Sequence, residues 1–152
     1  MGYGDQGTTT ELDSHANMSV VGQDVTVISR SGLHTEVKSC SDDVPTLQNI
    51  PIVDAIVTYD DPYLLKTFLL VVRNALQVIS MQHNLISLFL LREAGLQVDE
   101  TPKRQSADPT MDTHAIFDPR SKMRIHLRVG GIFSCFKTRE LTQSEQDNLA
   151  GP

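Results

Sequence analysis

The residues best placed to do chemistry in this chain lie together in one short stretch, Glu11-Leu12-Asp13-Ser14-His15-Ala16, which runs on into Ser19-Val20-Val21-Gly22. A carboxylate followed by a hydroxyl, then small and apolar residues, fits two structures. One is a turn or helix cap, because Asp and Ser side chains accept hydrogen bonds from nearby backbone amides. The other is half of a two-carboxylate hydrolase. There, two aspartates lie so close that both cannot ionise; one acts as base on a shared water while the other, still protonated, acts as acid. A chain with one such loop obtains its second carboxylate by pairing with a copy of itself about a two-fold axis.

Other chemistries are poorly represented. His15, His34, His83, His114 and His126 show no His-x-x-x-His or Cys/His grouping, so no metal site is expected, and no cofactor is implied. Cys40 and Cys135 are far apart and form no Cys-x-x-Cys pattern, which fits reduced thiols. Asp112-Thr113-His114-Ala115 echoes the first stretch, but only 37 residues follow Ala115, too few for a second lobe. It reads as a turn entering a strand.

At 152 residues the chain is expected to be one folding unit, and 39% hydrophobic with 21% charged residues is an ordinary globular composition. A net charge of −6 argues against wrapping nucleic-acid phosphates. Lys122, Arg124, His126 and Arg128 alternate with Met123, Ile125 and Leu127, which reads first as the solvated face of a strand and second as a nucleic-acid contact. The start of the chain lacks the apolar core of a signal peptide. No apolar run approaches the ~20 residues a membrane helix needs. A soluble, intracellular protein is expected.

Short β-rich runs dominate the first half: Val25 to Ser29, Leu33 to Val37, Ile52 to Tyr59 and Thr67 to Val72, punctuated by Ser31-Gly32, Asp42-Asp43 with Pro45, and Asp60-Asp61-Pro62. Asn74 to Ser80 reads as one more strand or strand end. A single short helix is expected around Leu88 to Ala94, stopped by Gly95. Asp99 to Asp112 reads as a loop. His114 to Asp118, Met123 to Val129 and Ile132 to Phe136 read as three strands, and Thr142 to Pro152 as a frayed polar tail. This cadence points to an all-β barrel or sandwich.

Asp13-Ser14-His15-Ala16 with Ser19-Val20-Val21-Gly22 resembles the D-[ST]-G-A loop of retropepsins, the homodimeric aspartic proteases of retroviruses and retrotransposons. Far downstream, Val78 to Ser87 and then Leu88-Phe89-Leu90-Leu91-Arg92-Glu93-Ala94-Gly95 resemble the apolar strand, Asn-Leu-Leu-Ser segment and helix of the copia-type retrotransposon protease. The resemblance covers roughly Thr8 to Leu96. It implies an all-β, retropepsin-like closed barrel with one short helix, active as a two-fold homodimer without metal or cofactor.

By residue, it implies that Asp13 is the catalytic carboxylate, that Ser14 hydrogen-bonds across the dimer, and that Ala16 packs beneath the loop. Asn84, Leu85 and Ile86 would support the loop and build the substrate pocket, with a flap tip within Ser39 to Ile50. The implied substrate is the chain's own Gag-Pol polyprotein, cleaved in the cytoplasm within a virus-like particle. Nucleic acid is not an expected partner of the protease part. The implied division is a protease over 1–97, a linker over 98–112, a pre-integrase-like β segment over 113–141 and a flexible tail over 142–152. Two positions depart from the pattern: His15 replaces the usual Gly, and Gln82-His83 stand where retroviral enzymes carry Gly-Arg. The alternative reading, prompted by His15, is a weakly active or inactive dimerisation and assembly module.

Overall fold

A computed structural model describes residues 7–14, 16–37 and 47–150. The chain is mostly β. Eleven strands, β1 (Thr8–Asp13), β2 (Val20–Val21), β3 (Thr26–Val37), β4 (Leu47–Asp60), β5 (Thr67–Gln77), β6 (Asn84–Ser87), β7 (Gln97–Asp99), β8 (Ala115–Phe117), β9 (Arg124–His126), β10 (Arg128–Gly130) and β11 (Phe133–Thr138), occur among the described residues with two helices, α1 (Leu88–Glu93) and α2 (Gln143–Ala150).

Eight strands form one sheet in the order β10-β11-β1-β6-β2-β5-β4-β3, and β7-β8-β9 form a small antiparallel sheet. The expected closed barrel is not found: the large sheet ends in two edges, β10 and β3. It does curl. Arg139, one residue beyond β11, exchanges backbone hydrogen bonds with Thr58 of β4 at 3.2 and 3.0 Å, a single bridge rather than a ladder. Residues Ala55 to Tyr59 of β4 are consequently buried on both faces, as the continuous apolar run Ala55-Ile56-Val57 requires.

One core joins the two sheets. Leu12, Val21, Val53, Val57, Ile86 and Phe136 of the large sheet pack in the same cluster as Ile116 and Ile125 of the small one. Tyr59 and Phe136 meet edge to face with ring centroids 5.9 Å apart. The Tyr59 hydroxyl accepts from the backbone N–H of His126 at 3.1 Å, which satisfies its polar end at the junction of the sheets.

Several sequence expectations are corrected. Ser31-Gly32 does not end a strand: β3 runs through it, with a register slip between Arg30 and His34 that absorbs the extra residues as a bulge. Met123 to Val129 is not one strand but two, since β9 belongs to the small sheet and β10 to the large one. The segment set apart as 113–141 supplies β11, which pairs antiparallel with β1 from Thr8↔Thr138 to Glu11↔Cys135. The tail expected to fray forms α2, so there are two helices, not one. Its start is a capping box: the Glu145 N–H donates to the Thr142 hydroxyl at 3.2 Å, and the Thr142 N–H to the Glu145 carboxylate at 2.9 Å. Arg139 then clamps α2 to the sheet through paired bonds to Glu145 and Asp60.

No helix is long and apolar enough to cross a membrane among the described residues.

Candidate active site

Asp13 is the last residue of β1. That strand alternates strictly, with Thr8, Thr10 and Leu12 buried and Thr9, Glu11 and Asp13 half-buried on the other face. The threonines tolerate burial because their hydroxyls are bonded. Asn84 Nδ2 donates to Thr10 Oγ1 at 3.0 Å, Thr10 shares a 2.7 Å bond with Thr138 Oγ1, and the Thr138 hydroxyl donates to the Thr8 carbonyl at 3.2 Å. Each hydroxyl has one proton, so Thr10 is the donor to Thr138 and the chain runs in one direction.

The crossing of strands is what holds the loop. β1 and β2 are consecutive in the chain yet not adjacent; β6 lies between them, parallel to β1 and antiparallel to β2. In that register Leu12 faces Ile86 and Asp13 faces Ser87. The segment after Asp13 must therefore pass over the end of β6. There the Ser87 hydroxyl donates to the Ala16 carbonyl at 2.7 Å, and the Ser87 N–H donates to the Ser19 hydroxyl at 3.0 Å. Asn84 secures the far side, its Oδ1 accepting from the Gly22 N–H at 2.8 Å. Gly22 must be glycine here, because a Cβ would collide with the Met81 carbonyl oxygen.

Of the site residues expected from sequence, Asn84, Leu85 and Ile86 pair with Thr10, Glu11 and Leu12 of β1, while Asp13 and Ala16 meet Ser87 at the end of β6; His15 lies outside the described residues. Ser14 is exposed, Asn84 and Ile86 are buried, and Leu85 is half-buried. Three supporting residues carried no assigned role in the sequence: Thr10, Gly22 and Ser87. Ser87 had a local signal, since a serine just before an apolar helical run is a favoured N-cap, and its hydroxyl does accept from the Leu90 N–H. His83, at the departure from the retroviral pattern, places Nε2 4.0 Å from the Glu11 carboxylate, on the same face of β1 as Asp13.

Two cavities flank the loop. One, about 440 Å³, is walled by Asn17, Met18 and Ser19 together with Ile86, Leu90 and Leu91. The other, about 570 Å³, is walled by Leu12 and Ser14 with Val129, Ile132 and Phe133 of the β10–β11 hairpin. The β3–β4 hairpin projects as an arm: Ile28 and Leu33 on it are 47% and 65% exposed. Of the expected flap tip, residues 39–46 lie outside the described residues.

The second Asp-x-His-Ala stretch is a turn into β8 in which Asp112 is exposed while Thr113, His114 and Ala115 are buried. Asp112 pairs with Arg124 at 2.8 Å, and His114 Nε2 shares a 2.9 Å bond with the Ser134 hydroxyl. The basic alternation is not a continuous solvated face either: Arg124 lies 5.1 Å over the Phe117 ring, and the His126 side chain is 13% exposed. Among the described residues no group of three His, Cys, Asp or Glu could hold a metal ion.

The arrangement can present one carboxylate at a strand end, on a loop held from two sides by buried hydrogen bonds. No family model, curated protein or solved structure matches the chain.

Proposed function

We propose that the chain is a retropepsin-like aspartic endopeptidase, active as a homodimer in which two Asp13 carboxylates share a water. The observation that carries this reading is the parallel register of β1 and β6. It sets Asp13 against Ser87 and so joins the two motif halves that lie far apart in sequence. The exposed β3–β4 arm supports it further, since an extended peptide needs a cover that is not already packed on its own core. In the proposed reaction the ionised carboxylate removes a proton from water as it attacks the peptide carbonyl. The protonated carboxylate gives its proton to the carbonyl oxygen, and collapse of the tetrahedral species expels the amine with a returned proton. The rate is highest at mildly acidic pH, where one of the pair keeps its proton, and falls as pH rises. The proposed substrate is a retrotransposon Gag-Pol polyprotein containing the chain, processed inside the cell.

The test is cleavage of a denatured protein mixture at mildly acidic pH by the wild type and by Asp13→Asn, with and without a transition-state-mimicking inhibitor. The reading requires cleavage that the inhibitor blocks and that falls roughly 10²–10⁴-fold in the variant. Cleavage unchanged in Asp13→Asn would overturn it. His15 in place of glycine favours the second reading, a dimerisation module without activity, which a wild-type dimer that cleaves nothing would support.

A further inference from the structure

The surface beside Ser14 combines a hollow with a projecting side chain. The hollow is the cavity of about 570 Å³ walled by Leu12, Ser14, Glu100, Pro102 and the β10–β11 hairpin. On its rim, at the hairpin tip, Ile132 is 90% exposed, with Val129 and Phe133 at 48% and 39%. β10 is also an outer edge of the large sheet, so its outward backbone N–H and C=O groups have no neighbouring strand among the described residues. Edges of this kind are normally blunted by charge or covered. Here the edge carries exposed Arg128 at one end and an apolar tip at the other.

We propose that this patch is the self-association surface of the protein, with Ile132 of each copy entering the hollow of the other. The inference rests on the aspartic endopeptidase reading for its occupant. That site is incomplete without a second Asp13, so the contact between copies must adjoin residues 13 and 14, and the hollow includes Ser14 itself. A two-fold interface sets one patch against its own copy, so a projection and a recess must occur side by side on the same surface. Ile132 and the hollow meet that requirement. Pairing of the short β10 edges would extend both sheets through the interface.

The experiment is sedimentation of the full chain over a concentration series, comparing wild type, Ile132→Asp and Leu65→Asp, with cleavage measured in parallel. Leu65 is equally exposed at 90% but sits in the β4–β5 turn, and serves as the control. The expected result is a dimer for wild type and Leu65→Asp, with Ile132→Asp dissociating at least about tenfold more readily while keeping its circular dichroism spectrum. An Ile132→Asp protein that dimerises like wild type overturns the interface; if it also cleaves in an Asp13-dependent manner, the endopeptidase reading stands without it. A selective loss of the dimer in Ile132→Asp, with no cleavage by any of the three, supports the interface and removes the endopeptidase reading. A wild type that is monomeric throughout overturns the interface.

Discussion

The hydroxyl of Ser87 donates to the carbonyl oxygen of Ala16 at 2.7 Å while accepting from the N–H of Leu90, so one side chain both ties down the Asp13 loop and caps α1. The loop and the helix are therefore mechanically joined. Ser87→Ala removes both bonds at once, and the expected loss is about 1–2 kcal/mol, read as a lower urea midpoint at unchanged slope. If Asp13 is catalytic, turnover falls by more than stability, because the loop that aims the carboxylate loses its anchor. Unchanged stability would mean that water replaces both bonds.

Gly22 and Gly32 differ in why they are glycine. A Cβ on Gly22 would strike the backbone oxygen of Met81, a main-chain atom that cannot rotate aside as a side chain would. Gly32 has a φ of +80° with nothing near its missing Cβ. Gly32→Ala is expected to cost about 1–2 kcal/mol through strain alone. Gly22→Ala is expected to cost more, about 3 kcal/mol, and to loosen the loop. Thermal melts of the two variants side by side check the order.

The Arg139 clamp sets an acid limit. Its guanidinium bonds hold the Glu145 carboxyl at about 2, well below its ordinary 4.5, and also lower that of Asp60. A depressed carboxyl stabilises the fold in full above its unfolded value, and that contribution is lost as pH falls from about 4.5 toward 2. Arg139→Ala is expected to cost about 1–2 kcal/mol near neutrality. Its stability should converge on that of wild type at the acid end. Parallel curves down to pH 2 would contradict the clamp.

A second pH dependence starts higher. Burial pushes the imidazoles of His114 and His126 below their ordinary 6.5, so the folded protein resists protonation that the unfolded chain accepts. Stability from these groups is present above about 6.5 and declines as pH falls below it. Melting temperatures from pH 7.5 to 5 should drop for wild type. A His114→Gln, His126→Gln double variant should show a flatter profile over the same range.

Some of this molecule is dictated locally and was legible in the residues. β4 and β5 form over apolar, β-branched runs bounded by Asp60-Asp61-Pro62, and α1 ends at Gly95, whose φ of +92° suits a residue without a side chain. The Asp13 stretch and the Asn84–Ser87 segment were paired in the sequence only through their resemblance to the retropepsin motifs. Tertiary structure decided the rest. β1 is threonine-rich and reads as polar, yet Thr10 is buried because Thr138 and Asn84, from strands distant in sequence, bond its hydroxyl, and Thr8 is buried with its hydroxyl donating to Asp24. β11 reaches β1 from the far end of the chain, and β6 slips between β1 and β2. Such pairings depend on which backbone edges remain open once the core has collapsed. Hydrophobic periodicity specifies the face a strand buries but not the neighbour it takes, so the Asp13 loop could be read from sequence while the crossing that anchors it could not.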